Sequence, residues 1–195
     1  MNLQAAKKYI LKKIIENKNP RLHYHNQEHT LDVFNSATTI SENEKLGQQQ
    51  MKLVKTASLY HDSGMLRSYH NHEEASVNII NEVLPDFGYT RDEIDTIAEM
   101  IMSTKLPQSA STQLQKIICD ADLDYLGRDD FFMIAHRLRQ EWYDLGIKKT
   151  TLKEWYILQI EFLETHKYWT KTAIDLREKG KQHNLEMIRE VCDNN

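Results

Sequence analysis

The chain has 195 residues, 28% of them charged, and a formal net charge of −4. That slightly acidic balance, with no lysine or arginine stripe, argues against duplex DNA or RNA as a partner, and no apolar run approaches the ~18 residues of a spanning helix, so no membrane partner is expected. The 40% of hydrophobic residues are periodic rather than diluted, which reads as one folded domain over 1–195 and not as a disordered chain.

The first residues, MNLQAAKKYILKK, lack the apolar core and small-residue cleavage site of a secretory signal, so a cytoplasmic protein is expected. Its two cysteines, Cys119 and Cys192, stand apart without a CxxC spacing and read as reduced thiols. Apolar residues recur at helical spacing and no segment alternates with period two. The fold class is therefore all-α, a bundle of about eight to nine helices near 3–17, 29–46, 48–62, 72–84, 91–104, 112–126, 129–145, 151–165 and 170–191.

After the first helix comes His23 to Phe34, HYHNQEHTLDVF, which places three histidines within seven positions. In the second helix His29, Val33, Ala37 and Ile40 share a face, so His29 points inward, and His25 precedes it by one turn. The third helix repeats the arrangement, with Val54, Ala57 and His61 on one stripe and Asp62 directly after it. The loop and helix start that follow hold His70, His72, Glu73 and Glu74. The two histidines read as solvent-exposed loop residues, and the two glutamates suit an acidic first turn.

Thr90 and Glu93 form a capping box for the fifth helix. In the sixth, the stripe Leu114, Ile118, Ala121 and Tyr125 carries Asp122. Asp120 and Asp124 lie about 200° around an ideal helix from Asp122 and read as water-facing. The seventh shows Phe131, Ala135, Leu138 and Trp142 on one face. The last is an amphipathic closing helix, although Tyr168, Trp169, Lys171 and Arg177 could offer an aromatic wall and a cation to a ligand. Gly47, Gly127 and Gly146 each follow a leucine and read as helix stops.

One inward histidine is ordinarily a core residue bonded to a carbonyl. A core-facing carboxylate such as Asp122 is different, because without a cation, a metal or a hydrogen-bond network its burial is expensive. His29, His61, Asp62 and Asp122 together supply two imidazoles and two carboxylates, a set that suits a divalent first-row metal with positions left for water and substrate. Hydrolysis of a phosphate ester by metal-bound hydroxide fits that chemistry.

The ordered set His29, His61-Asp62, Asp122 resembles the H…HD…D signature of the HD-domain metal-dependent phosphohydrolases, and the resemblance covers roughly residues 20 to 170. It implies an HD-type helical bundle, with these four residues as ligands of a divalent metal ion: Mn, Mg, Zn, Co or Fe. Within it, YHNQEHTLDV is similar to the YHNxxHxxDV motif of class I cyclic nucleotide phosphodiesterases, which implies that His25 protonates the leaving oxygen while His29 binds metal. The run DADLDYLG looks closer to small bacterial predicted HD phosphohydrolases whose substrates are generally unassigned. In these an acidic residue lies near the metal water, a place that Glu73 or Glu74 fits, so Glu73 joins His25 and Asp62 as a catalytic candidate. This chain is much shorter than the phosphodiesterase catalytic domains and has no clear equivalent of their nucleotide-reading segment.

The expected partner is a small phosphorylated molecule, with nucleotides among the candidates; a homodimer stays open. Lys105 and Arg128 are the candidate phosphate-binding cations, with Arg67 behind them. Two other readings remain: a nucleotide-sensing HD domain without turnover, and a di-iron oxygenase of the HD type.

Overall fold

Side chains set the helix starts in the computed structural model, which describes residues 1–17 and 19–193. The Asn26 side chain accepts from the backbone N–H groups of Glu28 and His29 and opens α2 (Gln27–Asn43), two residues earlier than the apolar pattern alone suggests. His25 therefore lies just outside the helix that carries His29. Thr90 with Glu93 caps α5 (Arg91–Thr104) as expected. The same reciprocal box recurs as Thr112 with Gln115 at α6 (Gln113–Asp122) and Thr151 with Glu154 at α8 (Leu152–Thr165). Each box satisfies two backbone donors that a helix start leaves open.

The remaining α-helices are α1 (Leu3–Glu16), α3 (Gln48–Tyr60), α4 (His72–Val83), α7 (Phe131–Asp144) and α9 (Lys171–Asp193). Short 3-10 turns follow α3, α4 and α6, and no strand occurs among the described residues. No helix among them is long and apolar enough to cross a membrane. The expected all-α architecture is present. The sixth helix, however, ends at Asp122 and continues as a 3-10 turn over Asp124–Gly127.

The glycines depart from the expected pattern of stops. Gly146 does take the left-handed conformation after α7, but after α2 that conformation falls on Lys45, and Gly47 instead begins α3 with extended backbone. Gly127 serves a different end. A Cβ there would stand 2.3 Å from the Arg177 carbonyl oxygen, and one on Gly180 would stand 2.1 Å from the Gly127 carbonyl oxygen. The two glycines let α9 cross the Asp124–Gly127 turn with backbone against backbone. Asn184 of α9 donates to the carbonyls of Leu126 and Arg128, both at 2.9 Å, and secures the crossing.

Two apolar clusters result. The larger gathers α1 to α6 around fully buried residues such as Val54, Ala57, Ile97 and Ile117. The smaller joins Leu126, Phe131, Trp155, Leu163 and Ile188 from the second half of the chain, and Tyr24 belongs to it. The HYHNQEH stretch thus lies on the seam between them, with Tyr24 in one cluster and His29 on the helix that packs into the other.

Asp120 and Asp124 are not water-facing. Residues 169 and 170, at the start of α9, close over Asp120, and the body of α9 crosses the Asp124–Gly127 turn that holds Asp124. Asp120 is fully buried and accepts from the backbone N–H groups of Trp169 and Thr170 and from the Thr170 hydroxyl, which anchors the start of α9. Burial pushes its carboxyl up to about 6 against those donors. Asp124 is buried and takes Arg177 Nε at 2.8 Å. Arg177 is therefore occupied inside the fold, and Trp169 and Lys171 face solvent.

Candidate metal centre

Three elements converge at the seam. His29 sits in the first turn of α2, His61 and Asp62 follow the last residue of α3, and Asp122 ends α6. His29 Nε2 and His61 Nε2 are 3.2 Å apart. Asp62 Oδ2 lies 3.1 Å from the first and 3.0 Å from the second, and Asp122 Oδ1 lies 3.4 and 3.3 Å from them. For metal bonds of about 2.0–2.1 Å, donor atoms stand roughly 3.0 Å apart at neighbouring octahedral corners and roughly 3.4 Å at tetrahedral ones. The observed spacings fall in that interval.

The tautomer also fits. His61 Nδ1–H donates to the Ser58 carbonyl at 2.9 Å, which leaves the Nε2 lone pair facing the cluster, the usual outer hydrogen bond of a ligating imidazole. Asp62 Oδ2 is buried without a hydrogen-bond partner, the kind of atom whose burial calls for a cation. Burial opposes charge on both carboxyls, but the neighbouring imidazoles outweigh it, holding Asp122 down at about 2 and Asp62 well below its usual range. Burial likewise pulls His29 and His61 down, and the carboxylates of Asp62 and Asp122 reverse the sign. These four residues fit a divalent first-row cation.

His25 comes to the same place from outside α2, with Nε2 4.0 Å from Asp62 Oδ2. Its other nitrogen, Nδ1, is hydrogen-bonded to Glu141 Oε1. Glu141 is a residue of α7 with no exposed surface, and its Oε2 also accepts from the backbone N–H groups of Tyr24 and His25 at 2.8 and 3.0 Å. Burial pushes the Glu141 carboxyl up, yet His25 and the two backbone donors hold it below its ordinary value. An ionised carboxylate is acceptor-only, so His25 Nδ1 is the donor in this pair and Nε2 faces the metal cluster. Glu141 is absent from the sequence reading. The available signal is its place three residues after Leu138, on the apolar side of α7, the same anomaly that singles out Asp122.

His72 corrects another expectation. It is partly buried at the start of α4, not an exposed loop residue, because its Nδ1 donates to the Tyr69 carbonyl and its Nε2 turns to Asp62 Oδ1 at 3.4 Å. Burial lowers its basicity, but Asp62 and Glu73 raise it to about 9. His70 stays exposed. Glu73 is buried with Oε1 3.5 Å from His72 Nε2, whereas Glu74 pairs outward with Lys105 Nζ at 2.5 Å.

A cavity of about 640 Å³ opens over the cluster. His25, Asp62, Glu73, Asp122 and Lys105 line one side, and Leu138, Trp142, Leu158, Gln159 and Phe162 of α7 and α8 line the other. Arg128 is elsewhere. It borders a smaller cavity of about 230 Å³ that reaches His29 and Asp122 from another direction, and its guanidinium is engaged by Asp130 at 2.6 Å and Asp32 at 2.8 Å. Arg67 pairs with Glu82 on the surface.

A family model described as HD domain matches residues 26–124, which hold all four ligand candidates. An uncharacterized protein of Clostridium beijerinckii is 35% identical over 81 residues, 40% of this chain and 51% of that protein, so the match spans about half of that relative's length. Among solved structures, a predicted HD superfamily hydrolase from an uncultured Thermotogales bacterium superposes with a TM-score of 0.64 at 21% identity, covering 96% of this chain and 91% of that one. YpgQ of Bacillus subtilis in complex with ADP gives 0.68 at 17% identity, covering 98% and 97%. At these identities the likeness to the solved structures is one of fold.

Proposed function

The chain belongs to the HD-domain family, and on that premise we propose that it is a metal-dependent phosphohydrolase that cleaves a phosphate ester of a nucleotide or a related small molecule. The observation that carries this reading is the metal-spaced set of His29, His61, Asp62 and Asp122, with an unpaired buried Asp62 oxygen facing two imidazoles. A divalent cation bound there supplies Lewis acidity toward a phosphoryl oxygen and makes water a better nucleophile near neutral pH.

The chain's own residues do the rest. His25, held by Glu141 at Nδ1, presents Nε2 to the cavity and donates a proton to the leaving oxygen, a contribution of the order of 10²–10⁴ in rate for a well-placed acid. Glu73, buried on the same wall, takes a proton from the attacking water at its carboxylate. Lys105 stands on the rim, where it can exchange Glu74 for a phosphate oxygen. That YpgQ is known with ADP bound supports a nucleotide as the kind of ligand such a fold accommodates. Arg128 is held by Asp130 and Asp32 beside the smaller cavity, which leaves Lys105 as the cation for the phosphate.

A screen tests this directly. Purified protein is incubated with manganese, magnesium, cobalt, zinc or iron against phosphomonoesters, cyclic nucleotides and nucleoside triphosphates. Metal-stimulated release of phosphate or of a nucleoside monophosphate is the expected result, and no turnover with any pair refutes the reading. One observation favours a second possibility: His25, Asp62 and His72 form another group of metal-capable side chains, with Asp62 Oδ1 turned to His72. That supports room for a second cation, which the di-iron oxygenase alternative requires and which one metal per chain by elemental analysis would exclude.

A further inference from the structure

The large cavity is a poor way in for a cation. Beyond Asp62, Glu73 and Asp122 at its metal end, and imidazoles aside, the charged side chains along its lining are Lys105 and Lys148. Positive charge at a mouth favours an anion and repels a metal ion. The smaller cavity has the opposite character. It too reaches His29 and Asp122, and it carries Glu28, Asp32, Asp124 and Asp130 against Arg128 and Arg137. Side-chain exposure falls along it, from 73, 43 and 36% at Glu28, Asp32 and Asp130 to 21% at Arg128, 15% at Asp122 and 7% at His29. Carboxylates therefore lead from solvent to two of the four ligand candidates.

Arg128 stands across that passage. Its Nη2 lies 2.8 Å from Asp32 Oδ2 and 2.6 Å from Asp130 Oδ2, and its Nη1 lies 3.8 Å from Asp124 Oδ2. That Asp124 oxygen is buried without a hydrogen-bond partner, although Arg177 holds the other at 2.8 Å. Asp124 thus lends the passage its charge, and contact only once Arg128 moves aside. The Arg128 carbonyl is fixed by Asn184 at 2.9 Å, so the guanidinium can swing while the backbone stays. A single monovalent side chain faces three carboxylates, a set of oxygen donors that suits a hard divalent ion.

We infer that the smaller cavity is the route by which the divalent cation enters and leaves, with the Arg128 side chain as its gate. Asp32 and Asp130 attract the ion at the mouth, Arg128 yields them and swings outward, and Asp124 then faces the passage that ends at Asp122 and His29. Anionic ligand and cation accordingly use separate doors. The inference rests on the metal centre of the proposed function and not on which ester the protein cleaves.

The test is stopped-flow mixing of the full metal-free chain with cobalt(II), followed by visible absorption, and release of bound cobalt into excess EDTA. A gate acts on rates and not on the end point. Arg128→Gln should raise the association and dissociation rate constants together, about tenfold each, the factor for breaking one charge-assisted hydrogen bond, with Kd within about threefold of wild type. Ser36→Phe, which places a ring in the smaller cavity, should lower both rate constants, whereas Leu106→Trp at the large cavity should change neither. Wild-type rates in Arg128→Gln overturn the inference, even where Ser36→Phe fails to fold. Faster association with unchanged dissociation also overturns it, being the mark of a lost charge and not of a gate. Slowing by Leu106→Trp but not by Ser36→Phe assigns the traffic to the large cavity and overturns it too. Gated cobalt exchange without turnover of any ester would leave this inference standing and sink the hydrolase reading, and metal-stimulated turnover with ungated exchange would do the reverse.

Discussion

Two walls face each other across the large cavity. The wall of α2, α3 and α6 gathers imidazoles and carboxylates within 3.0–3.4 Å, and all of its ligand residues lie inside the stretch that matches the HD-domain family. The wall of α7 and α8 is apolar apart from Gln159, with Glu141 buried behind His25, and it lies wholly outside that stretch. The first wall has the chemistry to hold a cation, and the second shapes what is presented to it. The contrast teaches that family membership speaks for the metal half, while the proposed proton delivery by His25 rests on Glu141 of a helix that the family match does not reach.

Each wall can be broken without the other. The largest effect is expected in the first. His61→Ala removes a ligand candidate whose replacement leaves Asp62 without its nearest imidazole, and metal affinity should fall by 100-fold or more, in line with the ~10–100-fold cost of losing merely an outer partner. Elemental analysis after gel filtration reads this out, and a full equivalent of retained metal would contradict it. In the second wall, Glu141→Gln keeps a side chain of the same size but loses the carboxylate that accepts from His25 Nδ1. The kcat should fall about 10- to 100-fold, within the range of a mispositioned general acid, while metal content stays at the wild-type value. An unchanged kcat would detach Glu141 from the chemistry.

These two walls were unequally legible in the amino-acid sequence. His29, His61 and Asp122 announce themselves because a polar residue on an apolar stripe is costly, and Asp62 stands beside one of them. Glu141 and Gln159 obey the same rule, at Leu138+3 and Trp155+4, but each lies in a helix whose amphipathic pattern is otherwise ordinary and has no motif nearby. Asp120 and Asp124 depart from the water-facing expectation because periodicity on one helix cannot show that the start of α9 closes over Asp120 and that its body crosses the turn holding Asp124. That covering depends on a contact between Gly127 and Gly180, residues 53 positions apart that no local pattern connects. The inward turn of His72 had the same cause, since it depends on Asp62 from another element.

The glycine crossing offers a gentler way to separate the halves. Gly180→Ala would force a Cβ to 2.1 Å from a backbone oxygen, and the needed shift should cost about 1–3 kcal/mol. A Tm lower by several degrees with metal still bound would show that α9 anchors the second wall and not the first, and an unchanged Tm would remove that role. The smallest effect concerns protons. Carboxylates raise the pKa values of His29 and His61 in the metal-free protein. A raised imidazole pKa keeps the proton on to higher pH, and a cation must displace it, so metal binding should release protons and weaken as pH falls from 7.5 to 6.5. Calorimetric titration in buffers of different ionisation enthalpy counts those protons, and pH-independent affinity would show the imidazoles already neutral.

The most direct measurement of the central claim is metal-stimulated phosphate release by the wild type and by Asp62→Ala, side by side on the best ester from the screen. Asp62 is the ligand candidate whose two oxygens face His29 and His61 on one side and His72 on the other. The wild type should turn over only with added divalent cation, and the variant should lose at least about 10³-fold of that rate. A variant that keeps the full metal-stimulated rate would contradict a catalytic centre built on these four residues.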